Sequence, residues 1–223
     1  MCGRCIQLSP EQMIAYLRRL YPDVPLDQLL MEPRYNIPPS KPLLVVGETS
    51  AGRFAESMKW GLVPSWAKDP SIGNKMANAK LETAAEKPSF RTAMKHRRCL
   101  IFVSGFYEWH GAKAPKQPFY IYRADGEPMV FAGLWETWQQ PDGTPLHTCT
   151  ILTREPNALM ATVHNRMPVI LEHADFERWI DPKMKTALEP AVTAEDVLRM
   201  HPVSRAVNSP ANSGSECIAP IAA

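Results

Sequence analysis

Cys99-Leu100-Ile101-Phe102-Val103, running on through Ser104-Gly105 into Phe106-Tyr107-Glu108-Trp109, is the stretch that decides the fold class. Five successive apolar residues leave no polar face, so a strand here is covered on both sides and lies in the middle of a sheet. Toward the N-terminus, residues 43–47 and 53–62 also read as strands, the second carrying Met58, Trp60 and Leu62 on one face. Between them and the central strand, a helical pattern starts near Asn78, breaks at Pro88 and resumes to Arg98. Toward the C-terminus, residues 119–123 and 129–138 flank Asp125-Gly126, a strong hairpin signal, and residues 147–153 supply another strand. Residues 158–163, 175–180 and 194–200 read as short helices, with a return to sheet over 167–171. The first helix is the clearest: Ser9 is its N-cap, Pro10 suits its first position, Gln12 completes a capping box, and Met13, Ile14, Leu17 and Leu20 make one stripe. Many strands, few helices and no repeat or linker predict one α+β domain over residues 1–223, a bent antiparallel sheet or open barrel with short peripheral helices.

The 223 residues are 45% hydrophobic, enough for one sizeable core. A net charge of +2 is too small for the field of the whole protein to attract nucleic acid, so such a partner needs a local patch. Lys95-His96-Arg97-Arg98 is one candidate; a helix end with cations at its negative pole is the competing reading. Cysteines at 2, 5, 99, 149 and 217, with no secretory leader, predict free thiols in a reducing cytoplasm. No apolar stretch is long enough to cross a bilayer. Cys2-Gly3-Arg4-Cys5 has C-x-x-C spacing, but it lacks both the strand-to-helix setting of a redox pair and the second ligand pair of a zinc site. No metal or cofactor is expected, and nothing calls for an obligate oligomer.

Cys2 is the most informative single residue. Once Met1 is trimmed, it becomes a terminal 1,2-aminothiol, a thiol of pKa about 8.5 beside an amine of about 7.7–8.0. The amine can form an imine with an aldehyde and the thiol can close onto the imine carbon as a thiazolidine. Cys2 can equally be a small apolar residue at a loose terminus. Glu108, at the end of the apolar strand, has the setting of a general acid, or of a carboxylate paired with an arginine. His164, in Val163-His164-Asn165-Arg166-Met167-Pro168, is a loop imidazole able to shuttle protons, or a surface residue. Arg166 can serve a phosphate or face solvent. Asn78 can cap the helix expected after it, or orient a carbonyl with its amide.

Together these segments resemble the SRAP family, the SOS-response-associated peptidases understood as abasic-site processing proteins. The resemblance rests on Met1-Cys2-Gly3-Arg4, Arg34-Tyr35-Asn36, Trp60-Gly61-Leu62-Val63-Pro64-Ser65-Trp66, Asn78-Ala79-Lys80-Leu81-Glu82-Thr83, Gly105-Phe106-Tyr107-Glu108-Trp109, His164-Asn165-Arg166-Met167-Pro168 and His201-Pro202-Val203-Ser204, in the family's order. It implies that mature Cys2 captures the ring-opened sugar of an abasic site in single-stranded DNA as a thiazolidine crosslink, shielding the lesion. It further implies that Glu108 assists ring opening and imine proton transfers, His164 shuttles protons, and Asn78 holds a sugar hydroxyl or carbonyl. DNA contacts are expected from Arg4, Arg34, Asn36, Trp66, Lys80, Arg98 and Arg166, and a cytoplasmic, nucleoid-associated monomer is implied. Lys80 stands where many bacterial relatives have Arg, and Ala67 where relatives often have a second aromatic, which bears on affinity and junction preference. Cys5 reads as a bystander. The peptidase activity in the family's name corresponds to self-removal of Met1.

A reading from another class is an N-terminal-nucleophile amidohydrolase of the glutamine amidotransferase kind, which also starts Met-Cys-Gly. That family needs an Asn-Gly oxyanion element, and the chain contains no Asn-Gly dipeptide. A third is a non-catalytic single-strand binding domain, in which Cys2 would be replaceable.

Overall fold

The computed structural model describes residues 2–26, 29, 32–184 and 190–221; Met1, and with it any statement on its removal, lies outside them. In chain order the strands are β1 (Cys5–Gln7), β2 (Arg34–Ile37), β3 (Pro42–Thr49), β4 (Gly52–Trp60), β5 (Asn78–Lys80), β6 (Arg98–Val103), β7 (Gly105–His110), β8 (Gln117–Arg123), β9 (Met129–Gln139), β10 (Pro145–Arg154), β11 (Met167–Pro168) and β12 (Leu198–Pro202). The α-helices are α1 (Pro10–Leu20), α2 (Leu81–Ala84), α3 (Arg91–His96), α4 (Ala158–Ala161) and α5 (Phe176–Ile180).

Strands β10-β4-β3-β6-β9 form a ring that closes when β9 pairs back onto β10. Every pairing in the ring is antiparallel except β10 on β4, which is parallel at Thr148↔Lys59 and Cys149↔Trp60. The expected α+β domain is therefore present, its barrel closed rather than open, because one short parallel seam joins the two free edges. Outside the ring, β5 runs parallel to β10 and β11 runs antiparallel to it. A second, wholly antiparallel sheet has the order β12-β8-β7-β1-β2.

The pleat sorts side chains into two cores. Val45, Ile101, Phe131, Cys149 and Ile151 face one way, with Trp60. Leu44, Val46, Leu100, Phe102 and Leu152 face the other, against Met13 and Leu17 of α1 and Trp179 of α5. Both faces of β6 are thus covered, as its unbroken apolar run requires, and all six of its residues are buried. The barrel leaves little slack: a Cβ at Gly133 would lie 2.5 Å from Ile101 Cδ1 and 3.0 Å from Cys99 Sγ. Trp60 is fully buried, with its indole N–H donated to Ala77 O at 2.7 Å.

Four local expectations are corrected. The apolar run does not continue as one strand into Glu108. Ser104 interrupts it, its N–H bonded to Ile6 O at 2.8 Å and its hydroxyl accepting from Leu8 N at 2.8 Å, and the chain crosses there into the second sheet. Asp125-Gly126 makes its turn, with Gly126 at φ 74, yet joins no hairpin. β8 goes to the second sheet and β9 to the barrel, and the actual hairpin is β9–β10. Residues 194–200 form a short 3-10 turn and then β12, because Leu198 to Pro202 register against Arg123 to Phe119. Ser9 precedes α1 in the left-handed region at φ 40 with no side-chain cap bond; Gln12 reaches instead toward Gly126 O at 3.5 Å. The stripe of α1 holds, with Met13 and Leu17 buried and Ile14 and Leu20 packed beside them.

Candidate functional site

The N-terminal segment is held as an extra run along β7. Cys5 registers with Phe106, and Tyr107 N–H donates to Arg4 O at 3.0 Å. Continuing that antiparallel register sets Gly3 alongside Glu108. Glu108 is 2% exposed, so a carboxyl group shielded from water stands beside the residue that follows Cys2. The structure thus keeps Glu108 near the chain's start although it moves it off the central strand.

Cys2 is completely buried. Asn78 Nδ2 donates to the Cys2 carbonyl at 2.7 Å, and Asn78 Oδ1 has no hydrogen-bond partner among the described residues. Asn78 caps no helix. It opens β5, where Ile151 of β10 is its register partner, and this pairing aims the amide at the N-terminus. The Cys2 and Cys5 sulfurs lie 3.8 Å apart. Burial first, then the hydrogen bond to Cys2, pushes the Cys5 thiol well above the ordinary cysteine range.

His164 follows α4, its N–H bonded to Met160 O at 2.9 Å. Its Nδ1 lies 3.0 Å from Arg166 N and 3.3 Å from Arg166 O, and the shorter contact is the one that favours the Nε2-protonated tautomer. With Trp109, the neighbour of Glu108, it lines a groove of about 540 Å³ that also takes in His110, Lys116 and Glu155. Arg166 is 7% exposed and committed elsewhere. Its guanidinium forks onto Glu82 at 2.8 and 2.8 Å, and it also donates to Glu155 at 2.9 Å and Thr153 O at 2.6 Å. Those bonds to Glu82 raise the Arg166 pKa. They also tie α2, next to Asn78, to the loop that bears His164.

The residues expected to touch DNA divide by burial. Trp66 is 60% exposed and Lys80 is exposed. Arg98 is 2% exposed, and its five N–H groups go to backbone carbonyls: Trp179 at 2.6 Å, Met94 at 2.8 Å, Lys95 at 3.3 Å, Asp181 at 2.6 Å and Met184 at 3.1 Å. It caps the ends of α3 and α5 and presents no donor to a phosphate, which corrects its expected role. Asn36 is likewise corrected. At 4% exposure, its amide N–H groups reach Val207 O at 3.1 Å, Ser209 O at 3.0 Å and Asn212 O at 2.6 Å, while its Oδ1 accepts from Arg4 at 2.5 Å. Arg166 is held by the ion pairs given above, to Glu82 and Glu155. Arg4 also donates to Val207 O at 2.8 Å and lies 5.7 Å over the Trp109 ring. Arg34, half-buried, donates to Gln7 Oε1 and to Pro42 O at 2.7 Å. Ala67, the departure from the resemblance, is only 9% exposed, and its carbonyl accepts the Trp138 indole N–H at 2.7 Å.

Sequence reasoning passed over Glu82, Gln7 and the Cys2–Cys5 contact. A polar Gln7 in the apolar run Cys5-Ile6-Gln7-Leu8 was the available signal for the second; the first and third depend on contacts that no local pattern encodes. Among the described residues, no three His, Cys, Asp or Glu side chains are gathered to hold a metal ion, and no helix is long and apolar enough to cross a membrane.

The model of a family described as SOS response associated peptidase (SRAP) matches residues 1–210. The chain is similar to the abasic site processing protein YoqW of Bacillus subtilis (strain 168), 41% identical over 204 residues that cover 86% of this chain and 90% of that one. It is similar end to end to the abasic site processing protein YedK of Escherichia coli (strain K12), 32% identical over 230 residues, 99% of this chain and 100% of that one. Among solved structures, a protein from Bacteroides thetaiotaomicron superposes with a TM-score of 0.84 over 99% of this chain and 100% of that one. At 22% identity, that likeness speaks for the fold.

Proposed function

The chain belongs to the SRAP family, and on that premise we propose that it processes abasic sites in single-stranded DNA by capturing the lesion covalently on Cys2. With Met1 removed, the Cys2 amine adds to the C1′ aldehyde of the ring-opened deoxyribose and water leaves, giving an imine. The Cys2 sulfur then adds to C1′ while its proton passes to the imine nitrogen, and the five-membered thiazolidine closes. Glu108 protonates the oxygen released on ring opening and on loss of water. His164, with a proton on Nε2, exchanges protons with the nitrogen in closure and reversal. Asn78 positions the nucleophile through its bond to the Cys2 carbonyl, and its open Oδ1 accepts from a sugar hydroxyl. The same carboxyl and imidazole serve the trimming of Met1.

The observation that carries this reading is the 2.7 Å bond from Asn78 to Cys2 O, in a segment whose register runs alongside buried Glu108. It supports the reading because it tethers Cys2 one residue from the register partner of Glu108, and a nucleophile held near a group able to move protons turns a bimolecular addition into a local one. Trp66 offers a flat face to a splayed base and Lys80 a charge to the backbone. One protomer is sufficient for the reaction, because every group named comes from a single chain.

A single-stranded oligonucleotide with one abasic site, incubated with the purified protein and run on a denaturing gel, tests the proposal. The wild type gives a heat-stable shifted band; Cys2→Ala and an undamaged strand give none. Absence of the band from protein whose intact mass confirms loss of Met1 refutes the proposal and makes glutamine hydrolysis the next assay.

A further inference from the structure

We propose that Cys5 is a further catalytic residue of this site: its thiol donates an S–H hydrogen bond to the Cys2 sulfur and holds that sulfur in the form that attacks the imine carbon. The inference rests on the covalent-capture reading above and adds to it a group that the reading does not require.

Three features of the structure converge on Cys5. Its sulfur is 3.8 Å from that of Cys2, within hydrogen-bonding reach for two sulfur atoms, and both residues are fully buried, so no water competes for the contact. The position is fixed by the sheet rather than by a loose terminus: Cys5 opens β1 and is clamped between Phe106 of β7 and Ile37 of β2. The other cysteines of the same core are differently engaged. Cys149 directs its thiol to Met58 O at 3.9 Å, and Cys99 packs under Gly133.

The surroundings decide which sulfur keeps a proton. The ionisable groups that face Cys5 are Cys2, Cys149 of β10 and Arg34 of β2, and the Arg34 guanidinium is already shared between Gln7 and the Pro42 carbonyl. Desolvation outweighs the arginine, so the Cys5 thiol is pushed up and remains a neutral donor throughout the working pH range. Cys2 is equally buried, but its own carbonyl accepts the Asn78 amide, and its neighbour Gly3 is the residue that registers with Glu108. A neutral thiol beside a developing thiolate is a donor that demands no counter-charge in the core, which a lysine or an imidazolium in the same place would. Proton balance is unaffected: Cys5 lends its hydrogen bond and retains its proton, while the Cys2 proton goes to the imine nitrogen as the ring closes.

The test separates the two halves of the reaction. Imine formation is read by trapping with cyanoborohydride, and ring closure by the heat-stable band, each as a rate against pH on Met1-trimmed protein. Cys5→Ala leaves the trapped imine at the wild-type rate, moves the alkaline rise of the closure rate up by about one pH unit, and slows closure at pH 7 about tenfold, the two statements being equivalent. Cys5→Ser, which restores a donor of smaller reach, recovers part of the shift. An unchanged closure profile in Cys5→Ala overturns the proposal, as does an equal loss at every pH with the alkaline plateau lowered, which marks a packing defect. A wild type that forms neither imine nor band refutes the covalent-capture reading itself, and thermal melting confirms that both variants are folded at the assay temperature.

Discussion

Replacing Arg98 by Met distinguishes a structural cation from a DNA-binding one. The side chain is nearly inaccessible, and all five of its N–H groups are spent on carbonyls at the ends of α3 and α5. Methionine fills much of the volume but donates nothing. The three short bonds, at 2.6, 2.6 and 2.8 Å, leave behind three shielded acceptors. At about 1–2 kcal/mol for each acceptor left without a partner, the loss is about 3–6 kcal/mol. Against a total stability of about 5–15 kcal/mol this is a large share. For a chain of this size, each kcal/mol moves Tm by about 2–4 °C, so Tm falls by about 6–24 °C. Arg98→Lys keeps the charge without the fork and falls between the two. Circular dichroism melts measure the stability, and fluorescence anisotropy with a labelled single strand, at a temperature where the variant is folded, measures binding. A variant that melts within about 2 °C of wild type and binds DNA more weakly would refute the assignment and return Arg98 to the DNA surface.

Three further outcomes follow from the same geometry. Gly133→Ala drives a methyl into Ile101 and Cys99 inside the barrel and destabilises by about 1–3 kcal/mol in urea denaturation; wild-type stability would show that the interior has room to give. Asn78→Ala, which frees the Cys2 carbonyl, slows covalent capture about 10- to 100-fold on the gel, and Asn78→Asp, which sets a carboxylate against that carbonyl, slows it further; capture at the wild-type rate would remove Asn78 from the site. Glu82 is held below the ordinary carboxylate range by its bonds to Arg166, so its contribution to stability is present above the unfolded value and is lost as pH falls through the folded one. Wild type therefore exceeds Glu82→Gln near pH 7 by less than about 1 kcal/mol, because the Glu82 side chain is 46% exposed, and the two converge only as pH falls below the ordinary carboxylate range in denaturant titrations.

What could be read in advance depended on the range of the interaction. The two-sided run at Cys99 located β6, the apolar run at residues 43–47 located β3, and the one-sided placement of Met58, Trp60 and Leu62 located β4, because burial on one or both faces is written into neighbouring residues. The closing seam between β10 and β4 was illegible: Thr148 and Lys59 meet from 89 positions apart with nothing local to mark them. Asp125-Gly126 misled because a turn signal specifies the turn and not the sheet that each arm joins. Asn78 looked like a cap because its residue type suits both roles, and the deciding contact, with Ile151 of β10, lies far along the chain. For the cluster at 95–98, the competing reading of a solvated helix end met only half the outcome at Arg98, which bonds the helix-end carbonyls of Met94 and Lys95 but is buried. Glu108, His164 and Asn78 were singled out through the family resemblance and remain part of the proposal, whereas the ion pairs that hold Arg166 and the amide web around Asn36 belong to the folded state alone.

The web around Asn36 also sets a clock. Arg4 is fastened through Asn36 to the carbonyls of Val207, Ser209 and Asn212, so the first residues made are secured by nearly the last. At about 5–20 residues per second, some 200 residues of synthesis separate the two, a delay of about 10–40 s. If Met1 is trimmed while the chain is still growing and Cys2 captures aldehydes as proposed, the aminothiol spends that interval with Arg4 not yet latched, and any small aldehyde it meets would consume the group that the proposed capture needs. The share of molecules that keep a free aminothiol would then be set by a race between the trimming of Met1 and the closing of that web.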